Sequence, residues 1–327
     1  MDLRDRLGLD IPVVQAGMGG GAARGELAGA VSAAGALGTV GIMAPKAFAA
    51  ALRTAHRSAP GRPVAANLLT PFARRAHVEA CIAEFAAVVV FHGGSGRRWF
   101  ADLRAAGIPV VCTVGSAKQA KAAVAAGADG LVAQGVEAGG HLAGTERLET
   151  LLPAVLEAAG DVPVLAAGGV ADADDVRRLV AAGAVAAVAG TRFLLTEECP
   201  VHPGYQRRVA GAERTLRTEL FGLGWPMAHR VVPNAATDRW CSGNESGPAW
   251  LRAANRLGAP LGRAVPLARM ADIAAVQRRG LPFFSPALPL AGMPDDAVER
   301  CALYAGESAR RITDIVPAAE AVARLTP

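Results

Sequence analysis

The fold of this chain is decided most clearly by residues 163–190, which read PVLAAGGVADADDVRRLVAAGAVAAVAG. The stretch starts with a short apolar run, Pro163–Ala167, and ends with a second one, Ala186–Gly190. Between them, Ala173–Ala182 has the spacing of an amphipathic helix, with Asp172 as its predicted N-cap. Because the apolar runs contain no alternating polar residues, they are typical of parallel strands that are buried on both faces. The stretch therefore predicts a strand–helix–strand unit.

The same unit recurs along the first part of the chain, at intervals of about 25 residues. The predicted strands are Ile11–Gln15, Leu37–Gly41, Pro63–Leu68, Ala87–Phe91, Pro109–Val114, Gly130–Gln134, Pro163–Ala167 and Ala186–Gly190. Several of the helices between them end in Ala-Gly, where glycine supplies a left-handed cap. Eight such units predict a (β/α)8 TIM barrel. A doubly wound open sheet is the alternative, but Gly17–Gly21 lacks the Gly-x-Gly-x-x-Gly spacing of that fold.

The barrel does not account for the whole chain. After the eighth strand, residues 204–280 contain three of the four tryptophans and patterns typical of helices. We predict a mostly α-helical insert here that caps the barrel. Residues 1–203 and 281–327 then form the barrel, and a final helical segment, Ala297–Leu325, packs back onto it.

The composition excludes several classes of protein. Of the 327 residues, 52% are hydrophobic and 19% are charged, so the chain is too apolar to be disordered. The apolar stretch Leu179–Thr191 is shorter than the roughly 20 residues that a membrane span needs, and the charged N-terminus does not resemble a signal peptide. The five cysteines form no Cys-x-x-Cys pair. This usage favours a reduced, cytoplasmic protein, and no metal site is predicted.

The net charge of +5 lies mainly in the last third of the sequence. Residues 1–190 carry 17 basic and 16 acidic side chains, whereas residues 191–327 carry 17 and 13. No run of basic residues exceeds two, so neither nucleic acid nor a membrane is a predicted partner. We expect instead a mildly basic rim that suits a small anionic substrate, with Arg230 and Arg239 as candidates.

Two glycine-containing loops predict a ligand that carries a phosphate group. In a barrel of this kind, the active site lies in the loops at the carboxyl ends of the strands. The loops after the seventh and eighth strands contain Gly168-Gly169 and Gly190-Thr191. Each leads into a helix N-terminus, where free N–H groups favour an anion, and Thr191 adds a hydroxyl group. Arg192 is expected to pair with a nearby carboxylate rather than with the phosphate.

The loop after the sixth strand, residues 134–141, reads QGVEAGGH. A histidine at the tip of such a loop can act as a general base near neutral pH, so His141 is the predicted base. His92 follows the fourth strand and is a second candidate for the wall of the site. The remaining histidines have no predicted role: His56, His77, His202 and His229. The segment Trp225–His229 is interpreted as core of the insert, with a substrate lid as the alternative.

Short motifs in a fixed order connect this chain to a known family. They are Gln15–Gly20, Asn67-Leu68, Gly135–His141, Ala166–Asp172, Gly190–Leu194, Glu198–Pro200, Tyr304–Gly306 and Pro317–Glu320. In these motifs the chain resembles the nitronate monooxygenase family, formerly called 2-nitropropane dioxygenases. The resemblance implies a (β/α)8 barrel with an α-helical insert and a non-covalently bound FMN. It further implies oxidation of a nitroalkane, or of its nitronate anion, by dioxygen to a carbonyl compound and nitrite.

The resemblance also assigns roles to individual residues. His141 corresponds to the catalytic base. Asn67 and Gln134 correspond to residues that hydrogen-bond the polar edge of the flavin ring, and Gly17 and Met18 to residues beside that ring. The implied cofactor-binding residues all lie at strand ends or in the loops that follow: Gly17, Met18, Asn67, Thr113, Gln134, Gly139, Gly140, Gly168, Gly169, Gly190 and Thr191. The last four of these correspond to the phosphate-binding residues.

Three positions depart from the family pattern, and other functions stay open. Gly17 replaces a proline of many members, Thr113 stands where some members have lysine, and Ala305–Ser308 replaces Ala-Gly-Gln-Gly. Flavin-dependent enoyl-thioester reductases, which take hydride from NAD(P)H, resemble this chain nearly as well. A flavin-binding protein without turnover and a barrel that binds a sugar phosphate are further alternatives. A homodimer is also left open, because the sequence gives no oligomeric state.

Overall fold

The computed structural model describes residues 9–327, and its main feature is a closed parallel sheet. The strands of the barrel half are β1 (Val13–Gln15), β2 (Gly38–Val40), β3 (Val64–Leu69), β4 (Val88–His92), β5 (Val110–Val114), β6 (Gly130–Gln134), β7 (Gly140–His141), β8 (Val164–Ala167) and β9 (Ala186–Ala189). All of them except β7 form one sheet, in the order β1-β9-β8-β6-β5-β4-β3-β2. Gln15 N–H donates to the Leu37 carbonyl (2.9 Å), and Leu37 N–H donates to Val13 (3.0 Å). These bonds join the two sheet edges, which confirms the predicted (β/α)8 barrel and excludes the open sheet.

Helices connect the barrel strands on the outside. They are α1 (Gly25–Ala33), α2 (Pro45–Ser58), α3 (Arg75–Ala83), α4 (Phe100–Ala105), α5 (Ala117–Ala125), α6 (Leu148–Ala159), α7 (Ala173–Ala181) and the single turn α8 (Thr191–Leu194). The predicted Asp172 cap is confirmed, because its side chain accepts from Asp175 N–H at 3.1 Å. The Ala-Gly ends also behave as predicted, since Gly35 and Gly183 adopt left-handed φ angles of 94° and 102°.

Two apolar layers hold the barrel together. The inner layer takes side chains from successive strands, and it consists of Val14, Leu37, Ala65, Val88, Val111, Val132, Leu165, Ala167 and Ala186. The outer layer packs the strands against the helices, with fully buried residues such as Leu27, Phe91 and Leu103. Burial of each large apolar side chain contributes about 1.5–3 kcal/mol. Because the inner layer fills the barrel, the cavity that opens within the ring of strands lies above this layer, at the carboxyl ends of the strands.

The insert contains a small sheet that the sequence analysis did not predict. Its helices are α9 (Pro203–Val209), α10 (Ala235–Trp240), α11 (Ala249–Ala264) and α12 (Met270–Val276), and its strands are β10 (Leu216–Thr218) and β11 (His229–Val231). The strands β10, β11 and β7 form an antiparallel sheet in that order. Strands of two or three residues leave no periodic pattern in the sequence. This sheet joins the insert to the loop after β6, where the predicted base lies.

The C-terminal segment is less helical than predicted. The prediction of a helix over Ala297–Leu325 is wrong except for α13 (Ala318–Leu325), because the rest consists of irregular chain and the 3₁₀ turns Asp295–Glu299 and Glu307–Arg310. Pro317 starts α13, and the residue before a proline is disfavoured in helical conformation. Helix α13 does pack back onto the barrel, against α1 and α7. Across the described residues, no helix combines the length and apolar character that a membrane span requires.

Candidate active site

A cavity of about 750 Å³ lies at the carboxyl ends of the barrel strands. Every predicted site residue lines it: Gly17, Met18, Asn67, Thr113, Gln134, Gly139, Gly140, His141, Gly168, Gly169, Gly190 and Thr191. His92 lines it as well. These residues come from seven of the eight strand ends and meet at one place, as the barrel topology requires. The volume is typical of a site for a small molecule or a cofactor.

His141 lies at the inner wall of this cavity, on strand β7. Its side chain is buried, and its Nε2 atom has no hydrogen-bond partner. The imidazole stacks on the indole of Trp225, with the ring centroids 3.8 Å apart and the planes 14° from parallel. The rings of His229 and Tyr304 are 5.0 Å and 5.5 Å away. His141 is thus held in an aromatic environment, with one ring nitrogen left without a partner.

The environment keeps His141 neutral. Burial lowers its pKa well below the ordinary value of 6.5, and the neighbouring His229 and His92 lower it further. A neutral imidazole with an unused nitrogen can accept a proton, which is what a general base requires. The structure therefore places at this position a group that is chemically suited to the predicted role.

His229 is the site histidine that the sequence analysis missed. It pairs with His141 across the β11–β7 ladder. Its Nδ1–H donates to the Met227 carbonyl at 3.0 Å, and its Nε2 accepts from Phe221 N–H at 3.4 Å. These two bonds fix the neutral tautomer, and burial lowers the pKa of His229 to about 4. The only sequence signal was its place in the Trp225–His229 segment, which we interpreted as core.

His92 and Trp225 complete the wall around His141. Burial lowers the pKa of His92 to about 4, partly offset by a hydrogen bond to the backbone of His141. The Trp225 ring meets His92 edge-on at 5.9 Å and also lines the cavity. Trp225 is buried, but it packs with the barrel core and not with the apolar cluster of the insert, so the interpretation as insert core is wrong for this residue.

Gln134 and Asn67 differ in what they can offer a ligand. The Gln134 amide donates to the His141 carbonyl (3.2 Å) and accepts from Ala143 N–H (2.8 Å), so it supports the loop that carries His141. Asn67 donates to the Val90 carbonyl at 3.2 Å, but its Oδ1 is buried without a partner. Of these two side chains, Asn67 is the one with an unused acceptor.

Gly17 is required by close packing beside Asn67. A Cβ at Gly17 would lie 2.1 Å from the Cβ of Asn67, a distance that no side chain can tolerate. Glycine therefore brings the first loop directly against the Asn67 side chain, which places backbone rather than a side chain at this wall of the cavity.

The predicted phosphate end contains several polar groups. Gly168 and Gly169 have left-handed φ angles of 130° and 73°, so they shape the loop after β8. Thr191 Oγ1 accepts from Gly306 N–H at 2.9 Å, which leaves the hydroxyl hydrogen available for donation. Ser308 lines the same cavity, and the sequence analysis missed it although it belongs to the late motif.

The C-terminal segment locks the loop that carries His141. A Cβ at Gly139 would lie 2.6 Å from the carbonyl carbon of Ala305, so the two backbones are in direct contact. Glu307 N–H donates to the Glu137 carbonyl at 2.9 Å. The Glu307 carboxylate pairs with Arg230 at 3.2 Å and with Arg147 at 3.8 Å. Glu307, which departs from the family motif, therefore anchors the loop that carries His141.

Arg230 does not form the basic rim that we expected. Its side chain is buried, donates from Nε to the Val136 carbonyl at 2.8 Å and pairs with Glu307. Arg239 packs over the ring of Trp240 in the insert and does not line the cavity. Within the described part of the chain, Arg24 is the one arginine that lines the cavity. The basic-rim hypothesis is therefore wrong for these two residues.

Two charged residues near the site have partners within the protein. Arg192 pairs with Asp314 at 2.8 Å, so the expected carboxylate partner is confirmed. Asp175 is buried, accepts from Ala171 N–H and pairs with Arg178 and Arg311, which is a structural role at the start of α7. Among residues 9–327 no cluster of His, Cys, Asp or Glu has the arrangement of a metal site.

Apolar side chains from outside the barrel strands also line the cavity. They are Leu267 and Met270 from the insert and Leu288, Leu290 and Met293 from the segment that follows it. The strand ends thus supply the polar groups of His141, Asn67 and Thr191, whereas these later segments supply hydrocarbon surface.

Comparison with known proteins gives consistent relatives. The sequence profile described as nitronate monooxygenase matches residues 2–81 and 70–327. A nitronate monooxygenase from Pseudomonas aeruginosa is 37% identical over 156 residues, which are 45% of this chain and 44% of that protein. A (3aS,4S,5R,7aS)-5-hydroxy-7a-methyl-1-oxo-octahydro-1H-indene-4-carboxyl-CoA dehydrogenase from Mycobacterium tuberculosis is 34% identical over 252 residues, which are 75% of this chain and 69% of that protein.

Solved structures show the same architecture over the whole chain. FabK from Thermotoga maritima has a TM-score of 0.77 and 26% identity, covering 99% of this chain and 94% of that chain. A nitroalkane oxidase from Streptomyces ansochromogenes has a TM-score of 0.76 and 26% identity, covering 99% and 96%. Because the profile matches nearly every residue and the fold agrees throughout, the chain belongs to the nitronate monooxygenase family and is a flavin-dependent oxidoreductase.

Proposed function

We propose that this enzyme oxidises a nitroalkane, or its nitronate anion, with bound FMN and dioxygen, and that His141 is the base. One observation carries the proposal. His141 is a neutral imidazole with an unpartnered Nε2, and it lines the cavity at the carboxyl ends of the strands. A carbon acid such as a nitroalkane needs a group of this kind to remove its α-proton.

The residues of the cavity fit an FMN. The buried Asn67 Oδ1 lacks a partner, and a flavin ring offers an N–H donor for such an acceptor. At the opposite end, Thr191 and Ser308 would hold the phosphate, together with the loop that contains Gly168 and Gly169. FMN supplies the ability to take electrons from the substrate and pass them to dioxygen. These residues fit the terminal phosphate group of FMN, and for this reason we propose FMN rather than FAD.

The protein's own contribution is proton transfer in a dry site. With a neutral nitroalkane, the α C–H bond breaks, the proton goes to His141 Nε2, and the electron pair remains on the nitronate. Burial of His141 and Trp225 keeps bulk water away from the proton. Oxidation of the nitronate then gives a carbonyl compound and nitrite. With a nitronate as the substrate the first step is already complete, so turnover does not require proton transfer to His141.

A second candidate is oxidoreduction of a CoA thioester. The observation that favours it is the similarity to the carboxyl-CoA dehydrogenases of Mycobacterium tuberculosis and Rhodococcus jostii, which extends over 75% and 70% of this chain. The apolar side chains of Leu267, Met270 and Leu288 that line the cavity would accommodate a hydrocarbon group. In this reaction His141 would exchange a proton with a carbon next to the thioester.

An anaerobic flavin titration separates the two candidates. We would follow the flavin absorbance of the purified enzyme after adding ethyl nitronate, NADH or NADPH, or an acyl-CoA. Bleaching by ethyl nitronate alone supports the monooxygenase. Rapid bleaching by a nicotinamide cofactor or by the acyl-CoA, with none by nitronate, overturns it in favour of the second candidate. His141→Asn is the matched variant, because it keeps a polar group of similar size and removes the base.

We further infer that the enzyme acts in the cytoplasm. All five cysteines are free and buried, which fits a reducing compartment.

A further inference from the structure

Proton abstraction by His141 creates a buried cation, and the neighbouring residues do not obviously stabilise it. His229 faces the ring from β11, His92 from the end of β4 and Tyr304 from the C-terminal segment. The two histidines are neutral, and the Tyr304 hydroxyl donates to the Pro286 carbonyl at 3.1 Å. Among the described residues, no carboxylate forms an ion pair with His141. Something else must offset the charge that His141 acquires.

We propose that the indole of Trp225 stabilises protonated His141 through a cation–π interaction, and that Trp225 is therefore a positioning residue for proton abstraction. The two rings are parallel to within 14° and their centroids are 3.8 Å apart, well inside the roughly 6 Å over which a cation is attracted to an aromatic face. Trp offers the most favourable aromatic face for such a contact. This inference rests on the proposed role of His141 as base.

The structure holds the Trp225 ring in place before any substrate arrives. The backbone N–H of Trp225 donates to the Gly222 carbonyl at 3.0 Å, which fixes the chain at this residue, and Phe72 meets the ring edge-on at 5.6 Å. Gly93, with φ of 75°, lies so close that a Cβ there would be 3.0 Å from the indole. Because the two rings are already stacked, no reorganisation of the site is needed when His141 becomes charged. Electrostatic stabilisation by an enzyme depends on groups that are positioned in advance in this way.

The arrangement differs from ordinary core packing in one respect. Aromatic pairs in a core commonly meet edge to face, as Phe72 and Trp225 do with interplanar angle 80°. His141 instead lies flat over the indole face, where the electron density is greatest. The same stack is weakly favourable while His141 is neutral and strongly favourable once it is protonated. Trp225 thus lowers the energy of the state that follows proton transfer.

The expected effect is a selective loss of proton abstraction. A desolvated cation–π contact changes the equilibrium by about a factor of 10 or more, so removing it lowers the pKa of His141 by about one unit. Turnover of a nitroalkane depends on that proton transfer, whereas a preformed nitronate has already lost the proton. The ratio of nitroalkane to nitronate turnover is therefore expected to fall about tenfold without the π face.

The test replaces tryptophan with its mono-, di- and trifluorinated analogues, which withdraw electron density from the ring with little change in size. The FMN-loaded enzyme would be assayed with nitroethane and ethyl nitronate, and the pKa of His141 would be followed by NMR with labelled histidine. We expect both the turnover ratio and the pKa to fall stepwise with each fluorine. The chain has three further tryptophans, which are fluorinated at the same time. The control is therefore the Trp225→Phe variant with the same analogues, in which the turnover ratio and the pKa of His141 should not change with the number of fluorines.

The outcomes separate this inference from the proposed function. A turnover ratio and a pKa that stay constant across the series overturn the cation–π role. Equal slopes in the wild type and in Trp225→Phe also overturn it, because they would assign the effect to another tryptophan. If the wild type turns over neither nitro compound, the proposed function fails, and the NMR titration alone decides whether Trp225 stabilises protonated His141.

Discussion

Mild acid should destabilise this protein because two histidines of the site are buried in the neutral form. The pKa values of His92 and His229 are each lowered to about 4, whereas a histidine in the unfolded chain has a pKa near 6.5. Between these values the unfolded state binds more protons than the folded state. The stabilisation from the neutral histidines is therefore complete above pH 6.5 and is lost as the pH falls towards 4.

The size of the effect follows from the two pKa values. At pH 5 an unfolded histidine is almost fully protonated, and a folded one with a pKa of about 4 is mostly neutral. For each histidine, the free energy of unfolding is therefore about 2 kcal/mol lower at pH 5 than at pH 7, which gives about 4 kcal/mol for the pair. His141 adds to this loss, since its pKa is lowered as well. Ordinary carboxylates remain largely ionised at pH 5, so they contribute little in this window.

Urea unfolding at pH 7 and pH 5, with FMN at saturation, measures this loss. In His229→Phe the difference between the two pH values should shrink by about 2 kcal/mol, because one of the groups that takes up a proton on unfolding is gone. Phe221→Leu is the matched control. It removes packing beside His229 at 5.8 Å and should destabilise the protein equally at both pH values. A wild-type difference below about 1 kcal/mol, or no change of that difference in His229→Phe, would refute the reasoning.

Three substitutions test other parts of the site. Gly17→Ala places a Cβ 2.1 Å from that of Asn67, so we expect loss of bound flavin with an unchanged far-ultraviolet CD spectrum; a variant that still purifies yellow contradicts this. Arg192→Gln breaks the ion pair between the buried Arg192 and the partly exposed Asp314 at 2.8 Å, and the hydrogen bond to the Leu195 carbonyl, so it should lower the unfolding free energy by about 1–2 kcal/mol in chemical denaturation; an unchanged midpoint would show that the pair is dispensable. Thr191→Val should raise the Kd for FMN about tenfold in equilibrium dialysis. Riboflavin, which has no phosphate, should bind both forms equally, and a parallel loss of riboflavin binding would place Thr191 elsewhere.

The small antiparallel sheet gives the site its particular character. Strand β7 belongs to the loop after β6, and it pairs with β11 of the insert. Through this pairing, the insert delivers His229 and Trp225 to the ring of His141. The C-terminal segment adds Tyr304 and Glu307 to the same loop. The base is therefore held by three separate parts of the chain, and a change in the insert can alter the chemistry without touching the barrel.

Local signals allowed much of the site to be predicted. The glycine-rich loops at the strand ends and the histidine at the end of residues 134–141 are visible without any tertiary information. All twelve predicted residues line one cavity, because the carboxyl ends of parallel strands in a closed barrel must converge. The helix prediction for the C-terminal segment is wrong because a tertiary contact overrides the local signal there. Its composition favours a helix, but contact between Gly306 and the Glu137–Gly139 backbone holds it in an irregular conformation.

The sequence by itself determined the eight strand–helix units, their caps and the loops that hold His141, Asn67 and Thr191. It could do so because unbroken apolar runs, helix caps and glycine loops each depend on a few neighbouring residues. Only the tertiary structure decided that Trp225 and His229 surround His141, and that Arg230 is an internal anchor instead of a basic rim. These contacts join residues far apart in sequence through strands of two or three residues, which are too short to carry a periodic signal of their own.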